Sequence, residues 1–356
     1  MNMNQTNEFN LEAYDYYLPE EKIAQVAVEP RDSSRLMVLS RAGNFISDDY
    51  TRNLTKHIDA NTVIVLNDVR VIPGRFHVQK STGGKVEVLI LSVMGDNTAK
   101  ILLNSKRPIS EGTSLFYDKN GIAFEIEIQS TPMSGGVRLS KFKGFNLTPE
   151  NISKIGLPPL PPYIKRKEHD ERFENDKHRY QTVFAQKGEA AAAPTAGLHF
   201  TEAGLNELKK NFEVHTITLN VGLGTFQPVR SDNIKTHKMH SEYYHIDPAT
   251  ADALQKAKAN GKRILAVGTT VVRTLESVAN KNFTSDSLQG ETDIFIYPGY
   301  KYRFVDSIMT NFHLPKSTLI MMIAAFMGRE NILNAYEMAI EKGYRFYSYG
   351  DAMLIV

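Results

Sequence analysis

VIVLNDVRVIPGRFHVQK, residues 63–80, places two kinds of strand back to back, and the change between them decides the fold. Val63–Leu66 has no polar alternation, which suits a strand covered on both faces, as in a parallel sheet. From Gly74 to about Gly156 the texture differs. RFHVQK is followed by STGG, then by KVEVLIL with apolar Val86, Val88 and Ile90, and KILLN, TSLFY, IAFEIEI and GVRLSKF come at short intervals. Around six short strands with Gly-containing turns and almost no helical period predict a small closed barrel. LPPLPPYI (residues 157–164) marks the exit and reads as a stiff polyproline spacer.

Outward from that boundary the chain alternates strand and helix. Leu36–Leu39 is a strand candidate near the start. Beyond the charged stretch Lys165 to Arg179, Asp247-Pro248 opens a helix that Gly261 closes. ILAVG (264–268) is a buried strand, and Thr269 and Thr270 cap the next helix. FVDSIMT is a strand, Thr318–Met327 a wholly apolar helix, and Asn331–Lys342 an amphipathic one ended by Gly343 before a strand RFYSYGDAMLI. The polar stretch Asn280–Thr292 reads as a surface loop. This alternation means an α/β layer architecture. The expected topology is one mostly parallel α/β domain, residues 1–73 and 157–356, interrupted by an inserted β-barrel domain, residues 74–156.

Composition narrows the chemistry. The 356 residues, 42% hydrophobic and 23% charged, suit a globular chain of about two domains. There is no cysteine, which excludes disulfides, iron–sulfur clusters, thiolate zinc sites and cysteine nucleophiles. Forty-two Lys and Arg against forty Asp and Glu leave +2, so an anionic partner needs a local patch. The longest apolar run, Leu319 to Met327, is too short to span a bilayer, and the N-terminus lacks the basic-then-apolar order of a signal peptide. A cytoplasmic protein is expected.

In open α/β sheets ligands bind outside the carboxyl ends of the strands. Here those ends carry GLGTFQPVR (222–230), GTTVVR (268–273) and NFHLP (311–315). Gly222 and Gly224 would let the backbone approach a ligand, although a tight turn explains them as well and the third glycine of a Rossmann fingerprint is missing. Thr269 and Thr270 before a helix offer N–H groups and hydroxyls to an anion, with plain capping as the alternative. Arg273 in the first turn opposes the helix dipole, which an anionic ligand would explain. APTAGLHF (193–200) is a poor helix interior and reads as a shaped loop presenting Thr195 and His199. His313 and the group His237, His240, Glu242 add titratable candidates, but no ligand spacing such as HExxH argues for a metal. The aromatic run Tyr344, Phe346, Tyr347, Tyr349 reads as core. Lys165, Arg166 and Lys167 would hold phosphates or merely form a solvated face among nearby acids.

Taken together, NDVRVIPGRF, STGGKVEVLIL, GLPPLPPYI, RYQTVFA, APTAGLHFT, VGLGTFQPVR, HKMHSEYY, AVGTTVVRTLES, FIYPGYKYRFVD, TNFHLPKSTLIM and YRFYSYGDAMLI occur in this order. Strings this long in one order are far more specific than a short motif. The chain closely resembles the S-adenosylmethionine:tRNA ribosyltransferase-isomerase family of the queuosine pathway, from about Phe9 to Ile355. The resemblance implies an α/β domain with an inserted barrel. It also implies transfer and isomerisation of the ribosyl part of S-adenosylmethionine (SAM) onto 7-aminomethyl-7-deazaguanine at a tRNA wobble position. Epoxyqueuosine forms, adenine and methionine leave, SAM is consumed as a substrate, and no metal or redox cofactor is implied.

That reaction needs a base for C5′ beside the sulfonium, an acid for adenine, an anion site for the methionine carboxylate and stabilisation of alkoxide character. The expected assignment makes His199 the leading base or acid and His313 its partner, with Asp351 or Glu242 orienting an imidazole or balancing the sulfonium. Thr195, Gly197, Gly222, Gly224, Thr269, Thr270, Arg273 and Asn311, with Arg230 and His240 as further pocket candidates, are expected to hold SAM, Arg273 on its carboxylate. Lys106, Arg107, Lys165, Arg166 and Lys167 are expected to meet tRNA phosphate. Rival readings are an RNA methyltransferase, which lacks the required early glycine loop here, and a non-catalytic RNA-binding barrel.

Overall fold

The computed structural model describes residues 8–167, 170–222, 229 and 231–356. The strands are β1 (Arg35–Leu39), β2 (Phe45–Tyr50), β3 (Thr62–Asn67), β4 (Val69–Val71), β5 (Arg75–Lys80), β6 (Lys85–Met94), β7 (Thr98–Asn104), β8 (Ser114–Lys119), β9 (Ile122–Ile128), β10 (Arg138–Lys143), β11 (Lys187–Ala190), β12 (Glu213–Leu219), β13 (Glu242–His245), β14 (Arg263–Val267), β15 (Gln289–Thr292), β16 (Ser307–Asn311) and β17 (Ala352–Ile355). The helices are α1 (Pro149–Ile155), α2 (Arg172–Arg179), α3 (Glu202–Asn211), α4 (Pro248–Ala259), α5 (Thr269–Asn280), α6 (Thr318–Met327) and α7 (Arg329–Glu341).

Among the described residues nine strands form one sheet in the order β15-β13-β12-β3-β14-β16-β17-β1-β2. The sheet is mixed. Its centre, β12-β3-β14-β16, is parallel, β17 and β1 make a second parallel pair, and the remaining neighbours are antiparallel. The apolar runs VIVL and ILAV earn their central places because alternate residues enter opposite cores. Val63, Val65, Ile264 and Ala266 pack with α4 to α7 on one face, while Ile64, Leu66, Leu265 and Val267 pack with α3 on the other. Residues 320–324, 326 and 327 of the apolar helix α6 are buried in the first core, and Ser317 caps the helix by accepting from the Ile320 N–H at 3.3 Å.

The barrel closes in the order β10-β7-β6-β5-β8-β9 around its own core of Phe76, Val86, Val88, Ile101, Leu115, Ile126 and Phe142. The chain passes into and out of it side by side. Leu157 N–H donates to Arg75 O at 2.8 Å and Arg75 N–H to Leu157 O at 3.3 Å. Gly156 makes this possible, because a Cβ there would overlap the carbonyl of Pro73.

Several local readings change. LPPLPPYI is no free spacer: Leu160 and Ile164 are buried, and Arg75 donates to the Leu160 carbonyl at 2.9 Å. Gln289–Thr292, expected as loop, is the edge strand β15; QGET carries no apolar alternation because an edge strand needs little. The last strand begins only at Ala352, since Tyr347 adopts a φ of 70° and turns the chain before it. Gly268, at φ 93°, is the N-cap of α5, so Thr269 and Thr270 lie inside its first turn rather than capping it.

Gly156→Ala is expected to cost about 3 kcal/mol of folding stability, the upper end of the range for overpacking, because backbone rather than a side chain must move. Urea unfolding of the full chain measures it.

Candidate active site

The carboxyl ends of β3, β14 and β16 meet the loop that carries Thr195. Asn67 ends β3 with a side chain that continues the sheet. Its Oδ1 accepts from the N–H groups of Leu219 and Val69 at 3.1 and 3.2 Å, and its Nδ2 donates to Leu219 O at 3.1 Å and Thr270 Oγ1 at 3.2 Å. β14 runs through Gly268 into α5, whose first N–H groups have no partner within the helix. β16 delivers Thr310 and Asn311, with Phe312 and His313 following.

Together these ends enclose a cleft, open to solvent, lined by Tyr163, Thr195, Val221, Gly268, Thr269, Thr270, Thr310, Asn311, His313, Ser317, Tyr347 and Ser348 among others. Its largely apolar walls with a few convergent polar groups suit a small-molecule site. Thr195, Thr269, Thr270, Asn311 and His313 are the sequence candidates that line it. His313 is buried, its Nε2 lies 2.9 Å from Thr310 Oγ1, and its Nδ1 makes no hydrogen bond among the described residues. Burial pulls its pKa from 6.5 down to about 3, so the ring is neutral at neutral pH.

His199 stands behind this wall rather than in it. Its Nδ1 is 2.7 Å from Ser34 Oγ and its Nε2 3.0 Å from Asn311 Nδ2. Burial first, then the charges of Arg345, Arg179 and Arg31, lower its pKa to about 3. Asn311 also donates to Tyr347 O at 3.1 Å and accepts from Thr195 Oγ1 at 2.9 Å.

Other candidates are occupied elsewhere. Arg273 is buried in an ion pair with Glu242 and donates to Thr292 O at 3.1 Å, away from the cleft lining. Glu242 also accepts from the Gly222 N–H at 2.7 Å. Asp351 accepts from the N–H groups of Arg35 and Arg345 at 3.0 and 2.8 Å and orients no histidine among the described residues. Gly197 is small because a Cβ would stand 2.7 Å from the Phe184 ring and 2.8 Å from Thr182; close packing, not ligand approach, explains it. His240 faces the barrel turn at Gly135, whose Cβ would lie 3.9 Å from the ring. Gly224 and Arg230 lie outside the described residues. Arg166 is buried against Asp176 in a two-point pair at 2.7 and 3.0 Å and is withdrawn from any phosphate. Lys106, Arg107, Lys165 and Lys167 are exposed, Lys165 beside Glu20.

Tyr163, Tyr347, Thr310 and Ser348 were missed as lining residues. Thr310 reads as strand interior, Tyr347 as core and Tyr163 as part of a polyproline spacer, and the turn at Tyr347 has no short motif.

A mixed α/β sheet whose strand ends and helix N-terminus converge on a polar-pointed cleft defines an α/β protein with a barrel and a candidate ligand cleft. A family model described as queuosine biosynthesis protein matches residues 11–355. A relative from Carboxydothermus hydrogenoformans is 46% identical over 97% of this chain and 99% of its own, and one from Moorella thermoacetica 45% over 97% and 99%. Both are named S-adenosylmethionine:tRNA ribosyltransferase-isomerase. A crystal structure of S-adenosylmethionine tRNA ribosyltransferase from Thermotoga maritima superposes with a TM-score of 0.54 at 32% identity, covering 97% of this chain and all of that one. The chain belongs to this queuosine biosynthesis family, whose members are enzymes. Among the described residues no helix is long and apolar enough to cross a membrane.

The Arg273–Glu242 pair makes a structural expectation. Arg273→Ala should lower unfolding free energy by about 3–5 kcal/mol, because Glu242 is left charged and buried, whereas Arg273→Met with Glu242→Leu should recover most of the loss. Urea unfolding of both variants decides it. The two histidines set a pH dependence. Their folded pKa values lie below the unfolded 6.5, so the unfolded state binds more protons between about pH 6.5 and 3. Stability should fall on acidification through that window, by up to about 1.4 kcal/mol per pH unit for each ring. Replacing both by Gln should flatten the slope in unfolding titrations.

Proposed function

We propose that the chain transfers and isomerises the ribosyl part of SAM onto 7-aminomethyl-7-deazaguanine at a tRNA wobble position. The products are epoxyqueuosine-tRNA, adenine and methionine. Membership of the family over residues 11–355 is the observation that carries this reading, and the chemistry of the cleft supports it.

SAM occupies the cleft as a consumed substrate, and the reading invokes no metal or redox cofactor. The methionine carboxylate takes the N-terminus of α5, where the N–H groups of Thr269, Thr270 and Val271 and two hydroxyls converge. This replaces Arg273 as the carboxylate partner, since Arg273 is already paired. Tyr163 and Tyr347, ring centroids 4.6 Å apart, give the adenine or ribose an aromatic wall.

His313 is the proton-transferring group. With Nε2–H donated to Thr310 Oγ1, Nδ1 presents a lone pair to the cleft, and the neutral ring is able to take the C5′ proton that the sulfonium acidifies. Expulsion of adenine, attack by the aminomethyl nitrogen and closure to the epoxide with loss of methionine follow. Phosphate contacts come from exposed Lys106, Arg107, Lys165 and Lys167. The last two border a groove of about 1720 Å3, open to solvent, that also meets Arg75, Lys85 and Lys119 of the barrel.

Incubation with SAM and tRNA bearing the aminomethyl base should yield epoxyqueuosine by nucleoside mass analysis, with free adenine and methionine. S-adenosylhomocysteine as the product would instead mean methyl transfer. His313→Gln should reduce turnover by about 10²–10⁴-fold. Lys167→Ala should shallow the slope of log K for tRNA against log salt by roughly one if it meets a phosphate.

A further inference from the structure

The orientation of the Asn311 amide fixes the protons of four side chains. Tyr347 O is a carbonyl and only accepts, so the atom 3.1 Å from it is the NH₂ end of Asn311. The second hydrogen of that NH₂ points at His199 Nε2, 3.0 Å away, and Nε2 must therefore accept. The imidazole proton then sits on Nδ1 and is donated to Ser34 Oγ at 2.7 Å. Ser34 has acceptors for its own hydrogen in Arg31 O at 3.2 Å and Thr51 Oγ1 at 3.0 Å. At the other end, Asn311 Oδ1 takes the single hydrogen of Thr195 Oγ1 at 2.9 Å. Thr195 lines the cleft and His199 does not.

We infer that His199 is a positioning residue: held as the Nδ1–H tautomer by the Asn311 amide that the Tyr347 carbonyl orients, it accepts the second amide hydrogen and keeps Asn311 Oδ1 on Thr195, so that Thr195 faces the cleft as a hydrogen-bond acceptor with no proton to give. Such a hydroxyl selects a ligand group that brings its own hydrogen, such as a ribose hydroxyl. The inference rests on the reading that SAM occupies this cleft. It assigns His199 the opposite of a proton-transfer role, because both ring nitrogens are engaged inside the protein. The charged groups around the ring point the same way: Arg31, Arg179 and Arg345 all disfavour a second proton on it.

Two measurements on the full chain test this. In the first, ¹⁵N-histidine NMR between about pH 5 and pH 8 should show His199, identified by its loss in His199→Gln, as a neutral Nδ1–H ring throughout, with and without SAM. Asn311→Asp, which cannot donate to Nε2, should move the proton to Nε2. A wild-type Nε2–H or doubly protonated ring overturns the inference. In the second, kcat and KM for SAM are measured against pH. His199→Gln, whose amide both accepts from Asn311 and donates to Ser34, should keep turnover within about fivefold and retain the acidic limb of the kcat/KM profile. His199→Leu should raise KM for SAM about tenfold, the equivalent of one hydrogen bond. Loss of the acidic limb with a 10²–10⁴-fold fall in His199→Gln makes His199 the proton-transfer group and overturns the inference; a Leu variant equal to wild type overturns it too. If His199→Leu does not fold, the wild-type and Asn311→Asp spectra still decide. If wild-type protein binds no SAM, the proposed function fails, while the tautomer is still read from the spectra.

Discussion

The amide of Asn67 holds the strand ends in place. A parallel sheet stops hydrogen bonding where its strands diverge, and divergence leaves polar backbone facing whatever fills the gap. Asn67 postpones that point on β3 by pairing its side chain with both the N–H and the C=O of Leu219, as another residue of strand would. It then reaches Thr270 on α5 with its remaining hydrogen. One side chain thus ties the end of β3 to β12 and to the first turn of the helix. The cleft owes its shape to that fixed spacing, since Thr269, Thr270 and the Thr195 loop all sit against it.

The same economy governs the charges. The buried ions near the strand ends are paired with each other or with backbone, as Arg273 is with Glu242, Asp351 with two N–H groups, and Arg166 with Asp176. Glu276, wholly buried on α5, accepts from the N–H groups of Arg303, Phe304 and Val305 and from the hydroxyl of Tyr300. Among the described residues what is left to face the cleft is neutral: hydroxyls, an amide, an imidazole held unprotonated by burial, and the open N–H groups of α5. A cationic sulfonium with an anionic carboxylate at one end suits such a lining, in which the helix N-terminus supplies a field that favours the anion.

Much of the fold could be read from the sequence because period and turn chemistry are local. VIVL and ILAV declared buried central strands, and the six barrel strands stood out by alternation and by glycine turns. Edge strands were harder, since Gln289–Thr292 has neither pattern and is a strand only because β13 lies beside it. The site was readable by residue type and not by role. Thr269, Thr270, Asn311 and His313 were found from their position at strand ends and Thr195 from a loop unsuited to a helix interior, and they do line one cleft. His199 from the same loop, Arg273 from a strand end, Glu242 from a titratable cluster and Asp351 from within a strand are turned inward. Partner choice separates the two sets, and it depends on tertiary contacts, some between residues more than a hundred positions apart, such as His199 with Ser34 and Asn311.

The paired crossing at Arg75 and Leu157 gives the barrel a peculiar standing. An insert whose first and last residues are hydrogen-bonded neighbours leaves no gap in its host when it is cut away, since a few residues could rejoin the path between Pro73 and Leu157. The sheet and its cleft can therefore be inherited, and can vary, independently of the module grafted onto them.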